Sequence, residues 1–231
     1  SSPSRTFSLD PGSIRAWGGI SAMTIHGLLN GWLPDRAAAT NRLAEVTARL
    51  EQLDREGQHT YNAKTVDAFL KGDVGAMLQV TRAWVDRHRT PWALGAHGFA
   101  LMVNGHYDES AQALELALRL SPRDTLRADW QYRLAMAHFC AGRLSLAHKW
   151  ARDAALVNPG LRWPPVHVAA LWHMGERETA RHLMAEFIAR HGVVTQEQLR
   201  RRLPGETPDF AAARERMAQA LSAAAASAAL R

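Results

Sequence analysis

Four glycines, Gly72, Gly105, Gly142 and Gly175, recur at intervals of 33, 37 and 33 residues, each between two amphipathic runs. A period near 34 residues is the length of one helix–turn–helix unit, and a unit that small must stack on its neighbours to bury an apolar face. Two helix-ending dipeptides, Ser121-Pro122 and Asn158-Pro159, also stand 37 residues apart. In residues 91–124, PWALGAHGFALMVNGHYDESAQALELALRLSPRD, a first apolar run (Leu94, Phe99, Leu101, Met102) stops at Asn104-Gly105. A second run (Ala111, Leu114, Ala117, Leu118, Leu120) stops at Pro122, which cannot continue a helix. Residues 128–161 repeat this layout, and residues 58–90 and 161–192 carry divergent copies.

Outside these units the pattern predicts further helices. An irregular first pair runs from Ser13 to about Asn30 and from Pro34 to about Asp54. Thr195 can N-cap a short helix that opens with Gln196-Glu197 and stops by Pro204. Residues 208–221, with Phe210, Met217 and Leu221, form a capping helix, and the Ala-rich tail 222–231 is given no packed position.

The units resemble tetratricopeptide repeats (TPR). Gly98 and Ala135 stand where that pattern has a small residue in its first helix. Ser110, Ala147 and Ala180 stand at the small slot early in the second helix, and Ala117 and Ala154 at the late one. Pro122 and Pro159 fill the terminating slot. Two helices cross closely only where side chains are small. Residues 58–90 depart from the pattern with Thr65, Met77 and Arg89, and residues 161–192 with Val168, Phe187 and Gly192. The resemblance implies an all-α fold, an α-solenoid wound as a right-handed superhelix of about five helix pairs over residues 13–221, with C-terminal capping helices behind a 1–12 extension.

A narrower similarity rests on AFLKGDVGAM, SAQALELALRLSPRD, AHFCAGRLSLAHKWARDAALVNPG and the coda ETARHLMAEFIARHGVVTQEQLRRRLP. It is to the C-terminal TPR region of bacterial winged-helix transcriptional regulators and class III nucleotide cyclases. The terminal LSAAAASAALR departs from that subset's Gly-Leu-rich ending. The similarity implies a regulatory domain whose effector part lies elsewhere. The opening Ser1-Ser2-Pro3-Ser4, without Met, basic n-region or apolar h-region, reads as a cut from a longer polypeptide or a cloning remnant.

Composition narrows the chemistry. The chain has 231 residues and 47% hydrophobic content, enough for a sizeable core. One cysteine, Cys140, excludes an internal disulfide framework and points to a small buried thiol. The net charge of +6 is spread along the chain, and the densest cluster is Arg200-Arg201-Arg202. That argues against direct nucleic-acid binding, and no apolar run is long enough for a membrane span. No phosphate loop or HExxH motif occurs. The eleven histidines lack a zinc-ligand spacing, since His88, His97 and His106 stand nine apart. Asp108-Glu109 at a helix start suits the helix dipole better than acid–base work. The expectation is a cytoplasmic, non-catalytic protein that needs no cofactor or metal.

The TPR resemblance also implies where a partner would sit, on the concave face lined by first helices. Carried onto this chain, its slots give His59, Asn62, Phe69, Trp92, Phe99, Met102, Asp129, Tyr132, Met136, Arg162 and His173. Of these, Tyr132, Trp92, Asn62, Asp129 and Arg162 are expected to be the most exposed. The lining is largely apolar and aromatic, and only Asn62 suits the Lys/Asn clamp that holds a C-terminal carboxylate in some TPR domains. It therefore suits a hydrophobic peptide, a protein segment or a small apolar effector, with the chain's own residues 1–12 as another possible occupant. Self-association into a homodimer is the alternative use.

Overall fold

The computed structural model describes residues 12–30, 33, 35–159 and 165–228. Among them are twelve α-helices and no strand. The chain divides into two compact units, one ending at Asp73 and the other starting at Val74.

The first unit holds α1 (Ile14–Asn30), α2 (Arg36–Leu53) and α3 (Gln58–Lys71). Ser13 Oγ accepts from the Ala16 amide at 3.2 Å, and Asp35 caps α2 by accepting from the Ala38 amide at 2.9 Å. Each satisfies an amide that a helix start leaves without a partner. Ile25, Leu28, Leu43, Val46, Leu50, Ala63 and Val66 form the core of the three helices. Gly18 lies against His59: a Cβ there would sit 2.6 Å from the imidazole, so the α1–α3 approach depends on the missing side chain.

The second unit contains α4 (Val74–Arg87), α5 (Pro91–Val103), α6 (Tyr107–Leu120), α7 (Arg127–Cys140), α8 (Leu144–Val157), α9 (Pro165–His173), α10 (Arg177–His191), α11 (Gln196–Arg202) and α12 (Pro208–Ala228). From α4 to α10 each helix packs on the next, and the α6–α7 contact joins one helix pair to the following one. The first helices α5, α7 and α9 touch in succession as well. This is the packing of a solenoid.

The four periodic glycines close the first helix of their units. Gly72, Gly105, Gly142 and Gly175 all have positive φ, between 72° and 89°. At each, the following residue's amide reaches back five residues, as Asp73 N does to Ala68 O at 2.9 Å and Arg143 N to His138 O at 2.8 Å. That bond, with the glycine's own, satisfies carbonyls that the helix end would leave unpaired. Thr90 caps α5 by accepting from the Ala93 amide with Pro91 in the first turn, and Thr195 and Gln198 form a reciprocal capping box on α11.

The small residues lie at the crossings. Ala135, Ala147, Ala154 and Ala180 are fully buried. Ala117 is too, and a Cβ on Gly98 would come within 2.6 Å of Leu114. The divergent slots hold larger residues, Met77 and Val168, that are also fully buried. Helix α12 continues through the Ala-rich stretch to Ala228 and buries Ala224, so residues to which the sequence assigned no packed position belong to a docked helix.

Candidate functional site

Helices α5 and α7 come together where glycine removes a side chain. A Cβ on Gly95 would stand 2.2 Å from Trp130 Nε1, so the indole of α7, 1% exposed, lies directly on the α5 backbone. One turn away, the Arg133 guanidinium donates through Nη1 to the Gly95 carbonyl at 3.1 Å and stacks over the Phe99 ring, 5.1 Å from its centroid. Burial pushes the Arg133 guanidinium below its ordinary range, and the Asp129 carboxylate one turn earlier opposes that push. Phe99, Asp129 and Arg133 are each half-buried. Trp92, on the same face of α5 two turns before Phe99, is half-buried and meets Trp84 edge to face at 5.1 Å. The result is a patch of partly exposed rings around a guanidinium with a carboxylate one turn away, a combination that concentrates binding energy.

The other end of the same first helices is covered. Helix α12 packs on α7, α9 and α10. Its approach brings Gly205 so close to the end of α5 that a Cβ would sit 2.1 Å from the Val103 carbonyl oxygen. Halfway along, the Arg216 carbonyl lies 3.2 Å from His173 Nε2 at the end of α9. Phe210, Ala213, Met217, Ala220, Leu221 and Ala224 are all at most 3% exposed, a single stripe at helical spacing. Opposite, Met136, Phe139 and Cys140 of α7 are buried. Burial pushes the Cys140 thiol up to about 12, which makes it inert as a nucleophile at neutral pH.

The residues implied by the repeat pattern therefore separate. Trp92, Phe99 and Asp129 share the partly open patch on α5 and α7. Met102 and Met136 are fully buried and offer no surface; they pack beneath the face. His173 is exposed and holds α12. Tyr132 lines a cleft with Ala151, Ala155, His167, Leu183 and Phe187 from α8, α9 and α10, and burial pushes its hydroxyl well above the usual phenol range. His59, Asn62 and Phe69 lie half-buried on α3 in the first unit. Arg162 lies outside the described residues, as do residues 1–11 of the segment offered as a groove occupant.

The repeat slots missed Arg133. They stop at its neighbour Tyr132, and the local hint was Asp129 one turn earlier, at an ion-pairing distance along a helix. Four of the histidines hold neighbouring helices or turns together. His138 Nδ1 accepts from Arg143 Nε at 3.0 Å, and Thr81 Oγ1 meets His97 Nδ1 at the same distance. His167 Nε2 stands 3.1 Å from His148 Nδ1. Among the described residues no three His, Cys, Asp or Glu side chains gather at a metal-binding distance, and no helix is long and apolar enough to cross a membrane.

No protein-family model and no curated relative matches the sequence. Among solved structures the chain is similar to PilW, described as a widely conserved type IV pilus biogenesis factor, at 13% identity over 92% of each chain with a TM-score of 0.64. It is similar to pilF of Pseudomonas aeruginosa at 16% identity, covering 89% of this chain and 90% of that one, with a TM-score of 0.59. It is also similar to a Podosopora anserina kinesin light chain with nearly identical TPR-like repeats. There the identity is 16%, the coverage 79% of this chain and 96% of that one, and the TM-score 0.53. At these identities the likeness is one of fold: an all-α solenoid of TPR type.

Proposed function

We propose that the chain is a non-catalytic protein-interaction domain that takes a protein segment on the α5–α7 face around Phe99 and Arg133. The observation that carries this is the cluster itself. A guanidinium held by the Gly95 carbonyl stacks on a half-buried phenylalanine beside a carboxylate, on the first-helix side of a TPR-type solenoid. Rigid aromatic rings and a preorganised arginine lose little entropy on binding and supply large contact area. The coda from Glu178 to Pro204, similar to that of bacterial regulators, supports a place behind an effector domain in a cytoplasmic signalling or transcription regulator.

The experiment is site-specific photo-crosslinking in the cells that make the protein. With p-benzoylphenylalanine in place of Phe99 or Trp92, discrete protein adducts are expected. The same probe in place of Leu156, which is 75% exposed on the second helix α8, serves as control. Adducts from position 156 with none from 92 or 99 would refute the assignment.

A further inference from the structure

Helix α12 stacks on α10 and α9 as a following first helix would, but it also reaches α7, one unit further back. It thereby lies across α7 and α9, first helices of two successive units. It meets them through one stripe, Phe210-x-x-Ala213-x-x-x-Met217-x-x-Ala220-Leu221-x-x-Ala224. The other side of the helix, with Ala212, Glu215, Arg216, Gln219 and Ser222, is exposed. An amphipathic helix laid with its apolar stripe in a groove of packed helices is a recurrent mode of partner recognition.

The arm that leads into α12 is short and meets the repeats at its far end, where Gly205 lies against the Val103 carbonyl. Gly192, with φ +80°, ends α10. Helix α11 has seven residues, its helix neighbour is α12, and Gln196–Gln198, Arg200 and Arg201 are exposed. The Arg214 side chain donates to the Leu203 carbonyl at 2.7 Å and the Gly205 carbonyl at 2.9 Å, and pairs with Glu206. These bonds shape the arch between α11 and α12 from within.

We infer that α12 is an intramolecular ligand of the first-helix face, and that this face accepts in trans an amphipathic partner helix with the same register of aromatic, small, Met, small and Leu residues. The inference rests on the interaction reading of the domain and adds a covered stretch of the first-helix face beside the open patch: there the resident helix must leave before the partner's helix enters. The tether gives α12 an effective concentration in the millimolar range, so a free helix of equal intrinsic affinity loses at micromolar concentration. A partner prevails by fitting the groove better or by also engaging the adjoining Phe99–Arg133 patch.

The test uses the full chain and a fluorescein-labelled peptide of residues 206–226 as probe. Phe210→Ala in the chain weakens the resident helix but leaves the groove unchanged. This variant is expected to bind the native-sequence peptide at least tenfold more tightly than the wild-type chain does, and a peptide carrying Phe210→Ala is expected to bind neither. Equal binding of the native peptide by the two chains would overturn the inference. So would a doubled mass in light scattering with no peptide binding, which would give the face to a second copy. If Phe210→Ala loses its helical circular dichroism, hydrogen exchange on the wild-type chain decides: α12 amides are expected to exchange at least tenfold faster than those of α7, and equal protection would refute the inference. Neither result alters photo-crosslinking from position 99, so a failure here is distinguishable from failure of the proposed function.

Discussion

The Ser110 hydroxyl donates a 2.7 Å hydrogen bond to the Gly98 carbonyl, joining the two helices of one repeat. Ser110 is fully buried, and Gly98 has Leu114 against the position a Cβ would take. Both residues occupy the small slots of the repeat pattern. One removes bulk and the other supplies a bond across the gap that remains.

Gly98→Ala should destabilise the second unit by about 1–3 kcal/mol, because the added methyl meets Leu114 within a packed interior. Ser110→Ala, which removes the bond but keeps the volume nearly constant, should cost about 0.5–1.5 kcal/mol. Urea denaturation followed by circular dichroism measures both. A Gly98→Ala chain as stable as wild type would mean that the helices do not meet there.

Gly142 poses a different demand. Its φ is +75°, and no atom lies within 4 Å of the position a Cβ would occupy. The cost of Gly142→Ala is therefore one of backbone conformation alone, about 1 kcal/mol, and Gly142→Asn should cost less. Gly95→Ala should cost more than Gly142→Ala despite an ordinary helical conformation, because its methyl would strike the Trp130 ring. The order of the urea midpoints checks this contrast.

Stability should fall as the solution is acidified through the histidine range. Burial, followed by the Arg143 charge, pushes His138 down to about 4, and burial with His148 and Arg152 does the same to His167. Both start from an ordinary value of 6.5, so the unfolded chain takes up protons that the folded chain refuses. Stability is therefore retained above about 6.5 and lost progressively toward about 4, by about 1–2 kcal/mol for each group. Urea midpoints at pH 7 and pH 4.5 measure the loss, and His138→Gln should shrink the difference between them. An identical difference in the variant would remove His138 from the account.

Much of this architecture was legible from local chemistry. The glycine period located four left-handed helix ends, and Thr195 announced the α11 cap, because these signals depend on a few neighbouring residues. The site was legible only in part. The repeat slots name Trp92, Phe99 and Asp129 on α5 and α7, whereas Arg133 lies outside them and is held by a carbonyl 38 residues away. The docking of α12 was hidden for the same reason. Its amphipathic stripe predicts a buried side and says nothing about which helices bury it. Composition also misled at the end of the chain: a run of alanines looks featureless, yet alanine is the residue that lets a helix lie close to its neighbours.

The central claim is recognition through the α5–α7 patch, and the most direct measurement is the affinity of the photo-crosslinked partner, once purified, for Phe99→Ala and Arg133→Ala chains whose circular dichroism matches wild type. Loss of an anchor worth about 2 kcal/mol should raise Kd about thirtyfold in each variant. Kd values unchanged in both folded variants would contradict the account.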